Sequence, residues 1–285
     1  MTQILNSKPV VQTLKDNLLQ EIAELQAAGI NPTLGIIRVG ERPDDVYYEK
    51  SIIKNCDIIG IHTKTYHLGQ DITMAEFVKV LEQINDDNSV HGILIFQPLP
   101  KQLDINKIKY VINPAKDIDC MNPLNLVKVF EGDVSGFVPC TPAAVIETLK
   151  HYQIELQGKN VVVIGRSMVV GKPLSMMLLQ ENATVTVCHS KTQDLPGVAR
   201  QADIVVAAIG KAKFIDEKYV HQDSIVIDVG INEAEDGKMC GDVDYEAVKD
   251  KVKAITPVPG GIGSVTTMIL LKHTVMACKR QTAQA

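Results

Sequence analysis

The chain has 285 residues, of which 45% are hydrophobic and 22% are charged, and its formal net charge at pH 7 is −5. This length favours two ordinary domains, and the composition is typical of a globular protein. The acidic balance, without a block of basic residues, argues against a nucleic-acid surface, and no apolar stretch reaches the roughly 18 residues that a membrane helix needs.

Cysteine usage predicts a reduced, cytoplasmic protein. The six cysteines are scattered, at positions 56, 120, 140, 188, 240 and 278. They form no CxxC pair, and no histidine lies at the spacing of a zinc ligand, so we predict free thiols and no metal site. The first residues also lack the basic and long apolar segments of a secretory signal.

The first half of the chain alternates helix and strand patterns. Apolar residues from Val10 to Leu25 recur at helical spacing, and the apolar run 34–39 is typical of a buried strand. A second strand-like run at 61–68, a helical segment at 74–85 and an apolar run from residue 90 follow. This alternation predicts an α/β layer structure.

From residue 160 the alternation becomes more regular. Four apolar runs rich in β-branched residues are separated by helix-sized segments, and these runs are 160–165, 184–189, 202–210 and 224–230. Strands that are buried on both faces of a parallel sheet have this composition. We therefore predict two α/β domains, with residues 1–140 and a C-terminal helix at about 271–285 in the first, and residues 141–270 in the second.

The segment GRSMVVGKP (165–173) follows an apolar strand and leads into a helix that we expect to start at Pro173. A dinucleotide site needs this context, because glycine lets the backbone approach a pyrophosphate and a helix N-terminus offers free N–H groups. The spacing is not GxGxxG, so a plain strand-to-helix turn explains this segment alone equally well.

The next apolar run ends without the acidic residue that commonly binds a ribose 2′-hydroxyl. Arg166, His189, Ser190 and Lys191 could instead surround a 2′-phosphate, which favours NADP over NAD. The alternative is that these polar residues cap the end of a strand.

Eight motifs that run nearly from end to end of the chain carry a family resemblance. They are QPLP (97–100), KDID (116–119), PCTP (139–142), GRSMVVGKP (165–173), DIVVAAIGK (203–211), VIDVGIN (226–232), GDVD (241–244) and TPVPGGIG (256–263). With these motifs in this order, the chain resembles the methylenetetrahydrofolate dehydrogenase/methenyltetrahydrofolate cyclohydrolase family.

The resemblance implies a homodimer of two-domain α/β subunits, with a cleft between a folate-binding catalytic domain and a Rossmann-like NAD(P)-binding domain. It implies hydride transfer from 5,10-methylenetetrahydrofolate to a nicotinamide cofactor, which we expect from the residues after the glycine turn to be NADP, with NAD possible. In bifunctional members water then converts the methenyl product to 10-formyltetrahydrofolate. The expected partners are thus tetrahydrofolate one-carbon substrates, and neither nucleic acid nor a membrane.

The resemblance also assigns site residues. Tyr48 matches the tyrosine that stacks on the folate, Gln97 matches the glutamine of the QPLP turn in the catalytic centre, and Asp119 matches the aspartate that binds the pterin. Taken singly, Tyr48 could merely pack on its helix and Asp119 could cap a turn. The other substrate-binding positions are Pro259, Gly260 and Gly261. The nucleotide-binding positions are Gly165, Arg166, Ser167, Gly171, Pro173, His189, Ser190, Gly210 and Ile231.

One catalytic position departs from the family. The family places a lysine for proton handling four residues after the tyrosine, and this chain has Ile52 there. At about 100° per residue, Lys50 and Lys54 each lie about 200° around a helix from Ile52, so we predict that both face solvent. In a neighbouring motif, Asn122 replaces the family's histidine.

Loss of the lysine affects the two reaction steps differently. Hydride departure leaves a cation stabilised by its flanking nitrogens, and no proton has to be removed. Attack of water on the methenyl carbon does need proton transfer, for which general acid–base groups supply about 10²–10⁴-fold. The sequence therefore predicts a dehydrogenase with weak or absent cyclohydrolase activity. The alternatives are an ordinary bifunctional enzyme with another proton relay and a catalytically silent folate- or nucleotide-binding protein.

Overall fold

The computed structural model describes residues 1–234 and 237–283, and the chain divides into two compact units. The three-stranded unit comprises Thr13–Val138 and Leu270–Ala285, and the six-stranded unit comprises Met1–Gln12 and Pro139–Ile269. These borders lie one or two residues from the predicted ones at 140 and 270. Residues 1–12 differ from the prediction, because they contribute a strand to the six-stranded sheet.

The described residues form eleven strands and ten α-helices. The strands are β1 Gln3–Ile4, β2 Thr33–Val39, β3 His62–Leu68, β4 Gly92–Ile95, β5 Asn160–Ile164, β6 Thr184–Cys188, β7 Ile204–Ala207, β8 Ile225–Asp228, β9 Asn232–Glu233, β10 Met239–Cys240 and β11 Ala254–Ile255. The α-helices are α1 Ser7–Ala27, α2 Pro43–Ile59, α3 Met74–Asp86, α4 Ile105–Val111, α5 Pro123–Glu131, α6 Cys140–His151, α7 Gly171–Gln180, α8 Leu195–Arg200, α9 Tyr245–Val248 and α10 Ile262–Thr282.

The three-stranded unit is built on a parallel sheet in the order β3-β2-β4. Every residue of β2 is buried, as expected for a central strand covered on both faces. Its core joins residues of β2 and β4, such as Ile37 and Ile93, to Phe77 and Leu81 of α3 and Ile108 of α4. A capping box formed by Thr73 and Glu76 begins α3.

The six-stranded unit contains an all-parallel sheet in the order β1-β11-β8-β7-β5-β6. Strand β5 pairs with β6 on one side and with β7 on the other, so Ile164 aligns with both Cys188 and Ala207. The strand order therefore reverses at β5 and β7, and ligands of doubly wound sheets bind at such switch points. The predicted α/β fold with a Rossmann-like parallel sheet is confirmed.

The first strand shows why residues 1–12 belong to the six-stranded unit. Strand β1 has two residues and pairs with β11, with Gln3 opposite Ala254 and Ile4 opposite Ile255. A two-residue strand has no periodicity to read, so the sequence pattern does not reveal it. None of the helices in the described residues is long and apolar enough to cross a membrane.

A buried ionic cluster attaches α2 to the three-stranded sheet. Arg38 of β2 and Glu49 of α2 pair at 2.6 Å between Nε and Oε2, and each side chain is only 6% exposed. The other oxygen of Glu49 lies 2.6 Å from Nε2 of His67 on β3, and Arg38 also donates to the carbonyl of Gly40. Because the pair is removed from water, each charge depends on the other for compensation.

A second anchor lies between α10 and the segment that carries Asp119. His273 is buried, and its Nδ1–H donates to the carbonyl of Ile118 at 2.8 Å. Its ring centroid lies 5.5 Å from that of Phe137. Burial lowers the pKa of His273 to about 4, so its imidazole is neutral at physiological pH.

We expect Glu49→Ala to destabilise the protein by about 3–5 kcal/mol, because it leaves Arg38 buried without a counter-charge. The measurement is the free energy of unfolding in urea. Glu181→Ala is the matched control, since it removes a more exposed pair with Lys150 at 2.6 Å and should cost about 1 kcal/mol or less. Equal losses in the two variants would contradict a special contribution of the buried pair.

His273 should make the protein less stable as pH falls from about 6.5 to about 4, because the unfolded chain binds a proton that the folded chain excludes. The contribution is at most about 1.4 kcal/mol per pH unit. His273→Asn should flatten this part of the profile of unfolding free energy against pH. The same substitution at the exposed His62 is the control. An unchanged slope in the His273 variant would refute the assignment.

Candidate functional site

The predicted substrate residues lie at one edge of the three-stranded sheet. Tyr48 is on α2, which follows the carboxyl end of β2, and Gln97 comes two residues after the end of β4. A parallel bridge pairs Asp117 with Ile93 of β4, so the chain continues from there to Asp119 along the same direction. The fold therefore brings Tyr48, Gln97 and Asp119 to the carboxyl edge of this sheet.

Tyr48 is partly exposed and packs its ring against Phe96. Its residue is 41% exposed, and its ring centroid lies 5.4 Å from that of Phe96, with an angle of 37° between the two planes. Phe96 is buried, whereas the neighbouring Gln97 is exposed. The sequence analysis singled out Gln97 and missed Phe96, which is the residue of this turn that packs against the tyrosine.

Ile52 is fully buried on α2, on the helix face that also carries Glu49, Cys56 and Ile59. The prediction for Lys50 and Lys54 is confirmed, since both are exposed. Ile52 itself offers no group that accepts or donates a proton. One turn further along, burial raises the pKa of the Cys56 thiol to about 12, so this thiol is protonated at neutral pH.

Two aspartates of the KDID motif have different environments. Asp117 is buried and accepts the backbone N–H groups of Met121 and Asn122, each at 2.8 Å, and Nδ2 of Asn125 at 2.9 Å. Burial raises the pKa of its carboxyl group, and the hydrogen bonds oppose this effect. The motif's turn is thus held by Asp117, while the side chain of Asp119 is exposed.

Asn122 caps helix α5. Its Oδ1 accepts the N–H of Leu124 at 2.9 Å, and its Nδ2 donates to the carbonyl of Ile112 at 2.9 Å. Asn122 is buried, and both ends of its amide are occupied by these bonds. In this chain the position therefore has a structural role, and an amide does not titrate at physiological pH.

The predicted nucleotide loop lies at the switch point of the six-stranded sheet. Gly165 follows β5 with φ of +135°, and its N–H donates to the carbonyl of Cys188 at 2.9 Å. A side chain at Gly165 would collide with the carbonyl of Ala208, and one at Gly171 would collide with the carbonyl of Gly165. The two glycines thus allow the chain ends of β5 and β7 and the start of α7 to pack closely.

The remaining nucleotide-side residues lie around this turn. Arg166 and Ser167 are exposed, and Oγ of Ser167 accepts the N–H of Val170 at 3.1 Å. Helix α7 begins at Gly171 rather than at the predicted Pro173, which is buried in its first turn. His189 and Ser190 directly follow β6, so the strand pairing brings them beside the Gly165 turn.

A small cavity joins other predicted positions. It has a volume of about 180 Å³, and its lining includes Ile231, Pro259, Gly260 and Gly261. The cavity lies between the carboxyl end of β8 and the start of α10. Ile231 is largely exposed there, and Gly210 follows the neighbouring strand β7.

Sequence analysis did not assign a role to Asp242. This residue is fully buried and accepts the backbone N–H groups of Ile209, Gly210 and Lys211, at 2.6, 3.0 and 2.8 Å. These three residues form the loop after β7. The GDVD motif was the available signal, but the pattern alone does not show which donors the carboxylate meets.

Family models match both parts of the chain. Residues 5–119 match the catalytic domain of tetrahydrofolate dehydrogenase/cyclohydrolase, and residues 139–282 match the NAD(P)-binding domain of the same family. The second match covers the switch-point loops described above.

Whole-length relatives agree with these matches. Bifunctional protein FolD 1 of Desulfitobacterium hafniense is 70% identical over 281 residues, which cover 99% of this chain and 100% of that protein. Bifunctional protein FolD of Clostridioides difficile is 57% identical over 279 residues, which cover 98% of this chain and 97% of that protein.

Solved structures have the same fold over nearly the whole chain. The FolD methylenetetrahydrofolate dehydrogenase/cyclohydrolase of Campylobacter jejuni superposes with a TM-score of 0.96 at 42% identity, covering 98% of this chain and 99% of that one. The Trypanosoma brucei enzyme, solved with NADP and an inhibitor, has a TM-score of 0.92 at 32% identity, covering 100% and 99%. The chain therefore belongs to the tetrahydrofolate dehydrogenase/cyclohydrolase family.

Proposed function

We propose that this enzyme oxidises 5,10-methylenetetrahydrofolate to the methenyl form with NADP as hydride acceptor. The observation that carries the proposal is the close-packed glycine turn at the switch point between β5 and β7, which is followed by the exposed residues Arg166 and Ser167 and by the N-terminus of α7. The Trypanosoma brucei relative was solved with NADP, which supports the choice of cofactor. A homodimer, expected from the family resemblance, stays a prediction.

The substrate-side residues fit a folate. The partly exposed ring of Tyr48 offers a flat, amphipathic surface for stacking on a pterin, with Phe96 packed beside it. The exposed carboxylate of Asp119 can accept two parallel hydrogen bonds from an amino-pyrimidinone edge. Exposed Gln97 follows Phe96 at the same sheet edge and can donate to or accept from the substrate.

These residues act by positioning the substrate. Bound NADP supplies the hydride acceptor, and the protein contributes by holding the one-carbon bridge in line with it, which can lower the barrier by several kcal/mol. The product cation is stabilised by its own flanking nitrogens, so oxidation requires no protein base at Ile52.

The second candidate activity is hydrolysis of the methenyl product. Relatives that are 57% and 70% identical are named bifunctional, and this supports the ordinary bifunctional alternative better than weak or absent cyclohydrolase. The hypothesis of weak or absent cyclohydrolase activity is supported by Ile52 and Asn122, because neither side chain can exchange a proton. In a bifunctional enzyme another group or an ordered water must relay the proton.

A two-step assay separates the three readings of the function. The purified protein is given methylenetetrahydrofolate with NAD or NADP, and reduced cofactor is measured. It is then given methenyltetrahydrofolate, and loss of the methenyl chromophore is compared with that in buffer alone. Hydrolysis above the buffer rate supports the bifunctional enzyme, and hydrolysis at that rate supports the dehydrogenase alone. If neither NAD nor NADP is reduced in the first step, the proposed function is overturned and a catalytically silent binding protein is favoured.

Ile52→Lys tests the proton-transfer argument. If position 52 limits hydrolysis, the variant should hydrolyse methenyltetrahydrofolate about 10²–10⁴-fold faster than the wild-type protein. Ile52→Met is the matched control, since it keeps a long apolar side chain without an amine. The dehydrogenase rate of each sample confirms that it is folded. A folded lysine variant with no gain would refute the idea that this position limits hydrolysis.

Arg166→Ala tests the choice between NADP and NAD. We expect the KM for NADP to rise about 10- to 100-fold, since hydrogen bonds to charged groups contribute about 1.5–3 kcal/mol, whereas the KM for NAD should change little. Lys159→Ala is the control, because Lys159 directly precedes β5 at the opposite edge of the sheet. An equal rise for both cofactors would refute recognition of the 2′-phosphate by Arg166.

A further inference from the structure

The carboxylate of Asp242 accepts hydrogen bonds from the backbone of the loop after β7. Its Oδ2 accepts the N–H groups of Ile209 at 2.6 Å and Gly210 at 3.0 Å. Its Oδ1 accepts the N–H of Lys211 at 2.8 Å and Nδ2 of Asn232 at 2.9 Å. Asp242 is fully buried, so these four donors replace the water that its carboxylate has lost.

Three consecutive backbone N–H groups that converge on one carboxylate resemble an anion-binding nest. Here the protein fills the nest with its own side chain, so the loop is held in shape before any ligand arrives. Gly210, with φ of +66°, lies in the middle of the nest. This loop follows β7, next to the Gly165 turn at the switch point.

A second buried carboxylate holds Asp242 in place. Asp228, at the end of β8, accepts the N–H groups of Asp242 and Val243 at 2.9 Å each and that of Gly230 at 3.0 Å. Burial, and to a smaller extent the charge of Asp242, raises the pKa of Asp228 to about 6. The N–H of Asp228 in turn donates to Oγ1 of Thr256 at 2.8 Å.

The two carboxylates therefore connect separate parts of the nucleotide side. Asp242 holds residues 209–211 after β7 and the side chain of Asn232. Asp228 holds Gly230, and both Asp228 and Gly230 line the cavity that Ile231 and Gly260 share. One hydrogen-bonded chain thus runs from the switch-point loop to that cavity.

We propose that Asp242 is a positioning residue for the dinucleotide. It acts through the backbone of residues 209–211 and through Asn232, and it makes no contact with the ligand itself, since all four of its bonds go to the protein. This inference rests on the proposed binding of NADP at the switch point. The GDVD motif, through Asp242, thus contributes to cofactor affinity and not only to the stability of the fold.

Asp242→Asn is the first test. An asparagine keeps the size of the side chain, but in either orientation its NH₂ group must face at least one backbone N–H donor of residues 209–211, so the loop loses part of its fit. We expect the dissociation constant of NADPH, followed by its fluorescence, and the KM for NADP to rise about 10-fold or more. The KM for methylenetetrahydrofolate should stay within about twofold of the wild-type value.

Asp117→Asn is the matched control. Asp117 is also a buried aspartate that accepts two backbone N–H groups and one Asn amide, but it lies in the three-stranded unit. Its substitution should lower thermal stability without changing the affinity for NADPH. If Asp242→Asn lowers stability in the same way and leaves NADPH affinity unchanged, the positioning role is refuted.

Asn232→Ala keeps the test decisive if Asp242→Asn does not fold. It removes one of the four donors, and we expect a smaller rise in the dissociation constant of NADPH, about two- to fivefold. An unchanged constant would overturn the inference. Failure of the proposed function is distinguishable from this result, because the wild-type protein would then neither bind NADPH nor reduce NADP.

Discussion

Backbone N–H groups in the loops that follow strands and isolated bridges need acceptors, and this constraint shapes both units. In these loops the backbone is no longer paired with a neighbouring strand, and a buried N–H group without an acceptor costs free energy. Asp117, Asp228 and Asp242 each accept two or three such groups from inside the protein. The loops are thereby ordered by buried carboxyl groups, whereas Tyr48 and Asp119 are exposed.

The strands and the glycine turn could be predicted because their signals are local. A buried parallel strand shows as a run of β-branched residues, and Gly165 stands directly after such a run. Strand β1 could not be predicted, since it has two residues and its partner β11 is about 250 residues away. The same limit applies to Asp242, whose backbone donors lie more than 30 residues earlier in the chain.

On α2, helical periodicity was sufficient to separate the two faces. It placed Lys50 and Lys54 in solvent and Ile52 on the opposite face, and the structure agrees. Periodicity did not show that Phe96, from a turn after another strand, packs against Tyr48. Nor did it show that Glu49 lies on the buried face of α2. A glutamate is rarely buried unless it is paired, and its partners here come from β2 and β3, which the pattern of the helix does not reveal.

Because of the cluster of Arg38, Glu49 and His67, helix α2 cannot be replaced on its own by a helix from another protein without a loss of stability. A transplanted helix without a carboxylate at position 49 would leave Arg38 on β2 with its guanidinium buried and uncompensated. Such a chimera would have to carry β2 and β3 with the helix. Amino-acid changes in these three elements are therefore coupled. A protein in which only Arg38 or only Glu49 has been replaced is less stable than one that keeps both residues.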